Sequence, residues 1–168
     1  DWEDQTRGDA GTTMVYTTQR PSTGEKHTDE VQQRAIQMPF LPYYGMQPDN
    51  IGYIGYNQYV EGSAKDVRRA FIDLRNKGMK GLVLDLRNNG GGSVQEAIQI
   101  LNMFIPKGKQ LLEMRGKVKD SRQVFNTTVE PIDTVMPIVV LVNDGTASAS
   151  EITSGALGPR PCRGTRYT

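Results

Sequence analysis

The feature that most constrains this chain is a short, almost wholly apolar segment, residues 81–86 (GLVLDL), which is soon followed by three glycines, Gly90–Gly92. Such a segment is typical of a strand buried on both faces of a parallel sheet. A second apolar segment, residues 137–142 (PIVVLV), runs directly into residues 143–152 (NDGTASASEI). Two strand-to-turn units of this kind predict an α/β fold in which both turns lie at one edge of the sheet.

Two amphipathic helices are predicted, one before and one after the first of these strands. Ser63 with Asp66, and Ser93 with Glu96, have the spacing of a capping box, which marks the start of a helix. Residues 51–59 resemble a strand, so residues 51–157 alternate strand and helix as α/β proteins do. Apolar residues follow both capping boxes at helical spacing: Val67, Ala70, Phe71 and Leu74, then Ala97, Ile98, Leu101, Phe104 and Ile105.

The N-terminal part of the chain has a different pattern. Residues 11–19 are rich in β-formers, and a turn-forming stretch separates them from a short segment at 28–36, which predicts a β-hairpin. Residues 38–50 are rich in proline and aromatic residues without periodicity, which indicates a linker. We therefore predict four parts: a β-rich segment at 1–37, a linker at 38–50, an α/β core at 51–157 and an aberrant tail at 158–168.

Composition narrows the classes of function. Lys and Arg total 20 against 19 Asp and Glu. The net charge is therefore close to zero and does not indicate a nucleic-acid partner. The longest apolar run, residues 136–142, is far shorter than the roughly 20 residues of a membrane span. A single cysteine, Cys162, and a single histidine, His27, cannot form a Cys/His metal centre, and His27 lies in a polar turn that disfavours a Ser-His-Asp triad. We predict no metal and no cofactor.

The two turns are the candidate sites for chemistry. Consecutive glycines let backbone amides approach an anion closely, yet the loop lacks the Lys-Ser/Thr ending of a nucleotide-binding loop, and a simple tight turn is the alternative. Ser148 and Glu151 have the spacing of a third capping box. The capping role is the better supported by local sequence, but it is compatible with a role of Ser148 as nucleophile, because the positive end of a helix dipole favours its alkoxide.

Four ordered strings then indicate a family. They are YIGY at 53–56, EGSAK at 61–65, GLVLDLRNNGGG at 81–92 and VVLVNDGTASASEI at 139–152. Together they resemble the carboxyl-terminal-processing, or tail-specific, serine proteases. The resemblance implies a crotonase-like protease core at 51–157 and identifies residues 1–37 as the end of a PDZ domain.

The resemblance also implies roles for individual residues. Ser148 would be the nucleophile, and the backbone amides of Gly91 and Ala149 would form the oxyanion hole. The substrates would be polypeptides with unstructured carboxyl termini, and the protein would be periplasmic or otherwise exported. In this family a lysine whose pKa is lowered by burial deprotonates the serine.

No lysine of this chain matches that motif, which in the family follows the nucleophile at a distance that would place it beyond Thr168. The chain as given is therefore predicted to be inactive. After Leu157 the sequence departs from the family pattern, but the codons of residues 158–164, read one base later, admit the family-like string Asp-Leu-Asp-Arg-Ala-Val. We hypothesise that the tail, including Cys162, is frame-shifted, which the nucleotide sequence would test.

Two other classes of function remain open from the sequence. One is a noncatalytic peptide-binding module, in which the predicted hairpin at 11–37 adds a strand to a partner. The other is a crotonase-type acyl-thioester enzyme, whose α/β core also uses glycine-turn amides as an oxyanion hole. The SASE string at 148–151 disfavours this second alternative.

Overall fold

The structure is a computed structural model that describes residues 8–34, 39–116 and 122–158. The chain divides into two units, residues 1–38 and residues 39–168. In the first unit, β1 (Thr13–Gln19) and β2 (Lys26–Gln32) form an antiparallel hairpin. This is the predicted hairpin, and its two valines, Val15 and Val31, are exposed. Assignment of residues 1–37 to a PDZ domain stays a prediction.

The second unit has the predicted α/β fold. Its four-stranded sheet has the order β3 (Tyr43–Gln47), β4 (Ile51–Gly55), β5 (Gly81–Asp85) and β8 (Ile138–Leu141). The β3 strand pairs antiparallel with β4, whereas β4, β5 and β8 run parallel. The remaining elements are a 3-10 turn (Pro48–Asn50), three helices, α1 (Ser63–Asn76), α2 (Val94–Leu101) and α3 (Ala149–Leu157), and a second hairpin, β6 (Gln110–Met114) with β7 (Gln123–Asn126).

The helices bury the apolar faces that their sequences predict. On α1 the residues at helical spacing are nearly inaccessible to solvent, and Phe71 meets Phe104, which follows α2, edge to face with 5.1 Å between ring centroids. Residues of β4, β5 and β8 complete the same core, including Ile54, Leu84 and Val140. The core therefore supports the carboxyl ends of the parallel strands, where the two turns begin.

The segment interpreted as a linker contains a strand of the main sheet. β3 occupies residues 43–47, within the 38–50 segment, and pairs with β4 along its whole length. An edge strand has one neighbour and is only half-buried, so it lacks the clear alternation that identifies strands in a sequence. The predicted boundaries at 37/38, 50/51 and 157/158 stay predictions, and residues 159–168 of the tail lie outside the described residues.

The start of α1 differs from its predicted capping box. Gly62, in a left-handed conformation, is the N-cap, and no side-chain bond closes the predicted Ser63–Asp66 box. Instead the buried carboxylate of Glu96 accepts hydrogen bonds from the N–H groups of Gly62 (3.1 Å) and Ala64 (2.7 Å). The carboxylate thus satisfies amides that the helix leaves free, and it lies at the positive end of the α1 dipole.

Within the described residues, no helix is both long and apolar enough to cross a membrane.

Candidate active site

The site lies where β5 and β8, adjacent parallel strands, run into the two turns predicted to face each other. Three contacts hold these turns together. Thr146 Oγ1 donates to the carbonyl oxygen of Leu86 at 2.8 Å. Asn88 and Asn143 form a reciprocal pair, in which Asn88 N–H donates to Asn143 Oδ1 at 2.8 Å and Asn143 Nδ2 donates to Asn88 Oδ1 at 2.9 Å. The structure therefore brings the glycine loop and the SASE segment into one site.

Gly91 lies directly against the predicted nucleophile. A Cβ atom at Gly91 would be 2.8 Å from Ser148 Cβ and 2.8 Å from Ala149 N, closer than real Cβ atoms come to other heavy atoms. Gly91 also has a φ of +96°, a conformation that side chains rarely adopt. Only glycine can occupy this position, so the close approach of the two backbones explains why the turn contains glycine here.

Ser148 has a strained backbone conformation. Its φ of 56° and ψ of −118° fall outside the regions that residues with a Cβ normally occupy. The residue is exposed at the start of α3, and its N–H donates to the carboxylate of Glu151 at 2.7 Å. A serine on a sharp, strained turn from a strand into a helix is the arrangement that presents a nucleophile in many hydrolases.

Ser150 has a different environment from Ser148, although both belong to the SASE string. Its side chain is fully buried, and its hydroxyl, which lies close to that of Tyr59, forms no hydrogen bond of ordinary geometry among the described residues. A substrate carbonyl cannot reach a hydroxyl in the core. Of the two serines, only Ser148 is accessible to a substrate.

The backbone amides around Ser148 differ in their partners. Ala149 N–H, at the start of α3, has no acceptor in the part of the chain that the structure describes. Gly91 N–H donates to Asn89 Oδ1 at 2.9 Å, whereas Gly92 N–H has no acceptor among the described residues. The oxyanion-hole roles of Gly91 and Ala149 stay predictions. Sequence reasoning missed Asn89, whose side chain is fully buried under the loop.

A second polar group, also missed from the sequence, lies beside the site. Asp85 ends β5 and accepts hydrogen bonds from Tyr53 Oη (2.7 Å) and from Arg87 Nε (2.9 Å). Burial raises the pKa of Asp85, but the hydrogen bonds from Arg87 and Tyr53 outweigh it and hold that pKa below its usual value. These side chains line a polar cavity of about 470 Å³ that also contacts Asn88 and Asn143. A carboxylate at the end of an apolar strand was the signal for this group.

Neither a group of metal ligands nor a lysine bonded to Ser148 is found among the described residues. No group of three His, Cys, Asp or Glu side chains among them could hold a metal ion. None of the lysines in residues 8–34, 39–116 and 122–158 is hydrogen-bonded to Ser148. Cys162 lies outside these residues.

Comparison with known proteins places this geometry in context. The profile of Peptidase family S41 matches residues 50–161. The carboxy-terminal processing protease CtpA of Bacillus subtilis is 44% identical over 115 residues, which are 68% of this chain and 24% of the relative. A CtpA-like serine protease of Staphylococcus aureus strain N315 is 34% identical over 152 residues, 90% of this chain and 30% of the relative. This chain thus spans about a quarter to a third of the length of these curated relatives.

A solved structure, that of a photosystem II D1 C-terminal processing protease, is similar as well. It aligns with a TM-score of 0.65 at 27% identity, and the alignment covers 89% of this chain and 42% of that protein.

Proposed function

The chain belongs to peptidase family S41, and from that membership we propose that it carries the nucleophile of a serine endopeptidase that acts on the carboxyl-terminal regions of proteins. The observation that carries the proposal is the strained, exposed backbone of Ser148 packed against Gly91. Strain of this kind costs about 1–3 kcal/mol and persists where the surrounding structure enforces it, which is common at catalytic residues.

The proposed chemistry combines this arrangement with the lysine base that the family resemblance implies. A neutral lysine amine takes the proton of the Ser148 hydroxyl while Oγ attacks the carbonyl carbon of the scissile peptide. The oxyanion accepts hydrogen bonds from Ala149 N–H and from an amide of the glycine loop. The leaving amine receives the proton from the lysine, and water then hydrolyses the acyl-enzyme ester.

The glycine-loop donor is one of two amides. Gly91 N–H, the predicted donor, would have to leave Asn89 Oδ1, to which it is bonded at 2.9 Å. Gly92 N–H has no acceptor among the described residues, so it would break no hydrogen bond in serving as the donor. We therefore propose that the oxyanion hole consists of Ala149 N–H and one glycine-loop amide, either that of Gly91 or that of Gly92.

The substrate class is supported by the relatives, because proteins described as carboxy-terminal processing proteases are similar to this chain over most of its length. That the substrates have unstructured carboxyl termini, and that the protein is exported, are proposals that rest on the family resemblance of the sequence. Binding without turnover, the property of a peptide-binding module, is the alternative outcome of the experiment below.

The test needs a base that can act on Ser148. In a completed chimera, the residues after Leu157 and those before Gly11 are replaced by the matching segments of Bacillus subtilis CtpA, which by family resemblance supply the lysine and the rest of the PDZ domain. We expect the 168-residue chain to be inactive and the chimera to cleave a substrate with an unstructured tail. Activity should rise with pH as the lysine loses its proton.

Two variants of the chimera decide the assignment. Ser148→Ala should lower kcat at least a thousandfold and leave peptide binding intact, because the nucleophile contributes to the chemical step alone. Ser150→Ala should keep most of the activity. A chimera that cleaves equally well without the Ser148 hydroxyl would show that this serine is not the nucleophile, and a chimera that binds peptide but never cleaves it would favour the noncatalytic module.

A further inference from the structure

Tyr59 contacts both halves of the candidate active site. It lies between β4 and α1, and its side chain is only 2% exposed. Its backbone pairs with the glycine loop: Tyr59 N–H donates to Gly91 O at 3.0 Å, and Ser93 N–H donates to Tyr59 O at 2.8 Å. A Cβ atom at Gly92 would be 2.3 Å from Tyr59 O, so the loop approaches this residue as closely as glycine allows.

The side chain of Tyr59 reaches the helix that begins after the nucleophile. Its hydroxyl donates to Thr153 Oγ1 at 2.8 Å, and Thr153 Oγ1 in turn donates to the carbonyl oxygen of Ala149 at 3.0 Å. Ala149 follows Ser148 and carries one of the proposed oxyanion donors. One tyrosine therefore connects the glycine loop, through its backbone, to the first turn of α3, through its ring and hydroxyl.

Resting on the function proposed above, we propose that Tyr59 is a positioning residue that fixes the glycine-loop amides relative to Ser148 and Ala149. An oxyanion hole acts only if its two donors are the right distance from one carbonyl oxygen, and these donors come from separate elements. A buried aromatic ring is a rigid spacer between them. Burial raises the pKa of the Tyr59 hydroxyl to about 12, so it remains a hydrogen-bond donor over the range of an assay.

The chain offers a matched control. Tyr56 is also fully buried and packs edge to face on Tyr59, with ring centroids 4.6 Å apart. Its hydroxyl, however, is hydrogen-bonded to Ser63 Oγ at 2.6 Å, at the start of α1 and not on α3. Tyr59→Phe and Tyr56→Phe each remove one buried hydroxyl, but only the first breaks the connection to the helix of the nucleophile.

The first measurement is independent of catalysis. Amide hydrogen exchange in the 168-residue chain reports on Ser93 N–H, in the glycine loop, and on Ser150 N–H, which donates to Ala147 O at 3.1 Å in the nucleophile turn. Tyr59→Phe and Thr153→Val should each accelerate exchange at both amides severalfold, although Thr153 lies on α3 alone. Tyr56→Phe should accelerate neither. Equal effects of the two tyrosine variants would overturn the proposal whether or not the chain is a protease.

The second measurement uses the completed chimera. Tyr59→Phe should lower kcat about tenfold and leave KM unchanged, because a displaced oxyanion donor weakens binding of the transition state but not of the substrate. Tyr56→Phe should leave kcat unchanged. Thr153→Val should reproduce the loss, and the double variant with Tyr59→Phe should be no worse than either single variant, since both break one path. Losses that multiply in the double variant, or a change in KM alone, would contradict the positioning role.

If the chimera with Ser148→Ala keeps its activity, the proposed function fails. The amide hydrogen exchange measurement still decides whether Tyr59 couples the two turns.

Discussion

At the scale of single residues, the site is formed by backbone conformations that most side chains disfavour. Ser148 and Asn88 both have positive φ angles, and Gly91 and Gly92 do as well. These residues come from the two turns that meet at the edge of the sheet. These conformations bring the backbone of Gly91 against Ser148 and leave the N–H groups of Ala149 and Gly92 without an acceptor among the described residues.

The strain at Ser148 leads to a prediction about stability. Glycine adopts the φ and ψ of this position freely, so Ser148→Gly should relieve the strain and raise the free energy of unfolding by about 1 kcal/mol, even though glycine makes the unfolded chain more flexible. Chemical denaturation of the 168-residue chain measures this change.

The matched control is Ser150→Gly, two residues along. Ser150 has an ordinary position in the first turn of α3, where glycine should lower the free energy of unfolding by about 1 kcal/mol. If both glycine variants destabilise the chain equally, the strain at Ser148 does not exist in solution.

At the scale of elements, one helix is capped by another. Glu96 is in the first turn of α2, directly after the glycine loop, and its carboxylate caps α1 through Gly62 and Ala64. Since Ser93, the N-cap of α2, also pairs with Tyr59, the cap and the glycine loop share one short segment.

This cap leads to a second prediction about stability. Glu96→Gln keeps the shape of the side chain but replaces the charge and one acceptor oxygen, so urea denaturation should show a loss of about 1–2 kcal/mol. Glu61→Gln is the control, because Glu61 is an exposed residue next to the same helix start. Equal losses in the two variants would mean that the carboxylate of Glu96 does not cap α1.

The elements also show what a sequence can predict. The buried strands β5 and β8 and the apolar faces of α1 and α2 depend on local pattern, and they were predicted. The predicted capping box of α1 was wrong, because the residue that caps this helix, Glu96, lies 32 residues from Ala64 along the chain, where no local spacing reveals it. The glycine loop was predicted to lie near Ser148, but the connection through Tyr59 was not, because Tyr59 and Thr153 are 94 residues apart along the chain. The bond from Gly91 to Asn89 is local, yet residue spacing alone did not indicate which atom the Gly91 N–H would find as its acceptor.

At the scale of the whole molecule, the chain covers only part of the length of the relatives it matches. The curated relatives extend well beyond the matched region, since this chain spans 24% of one and 30% of another. The proposed nucleophile, the proposed oxyanion donors and the polar group around Asp85 are all in the second unit, whereas the proposed base is not among the described residues. Catalysis is therefore a property to measure in the completed chimera, and stability a property to measure in the chain itself.

Stability in acid is a property of the whole molecule, because a single carboxyl group whose pKa shifts on folding changes the free energy of unfolding. The pKa of Asp85 is lower in the folded chain than in the unfolded one, owing to its bonds with Arg87 and Tyr53. Its stabilising effect is therefore complete above the ordinary aspartate pKa of about 4, and it is lost as the pH falls through the lower, folded value.

Asp85→Asn should lower the free energy of unfolding by about 2 kcal/mol at neutral pH. The difference between wild type and variant should shrink below about pH 4, as denaturation at a series of pH values would show, with Asp144→Asn at an exposed site as the control for loss of charge. A difference that stays constant from neutral to acid pH would mean that Asp85 stabilises the fold by packing and not by its charge.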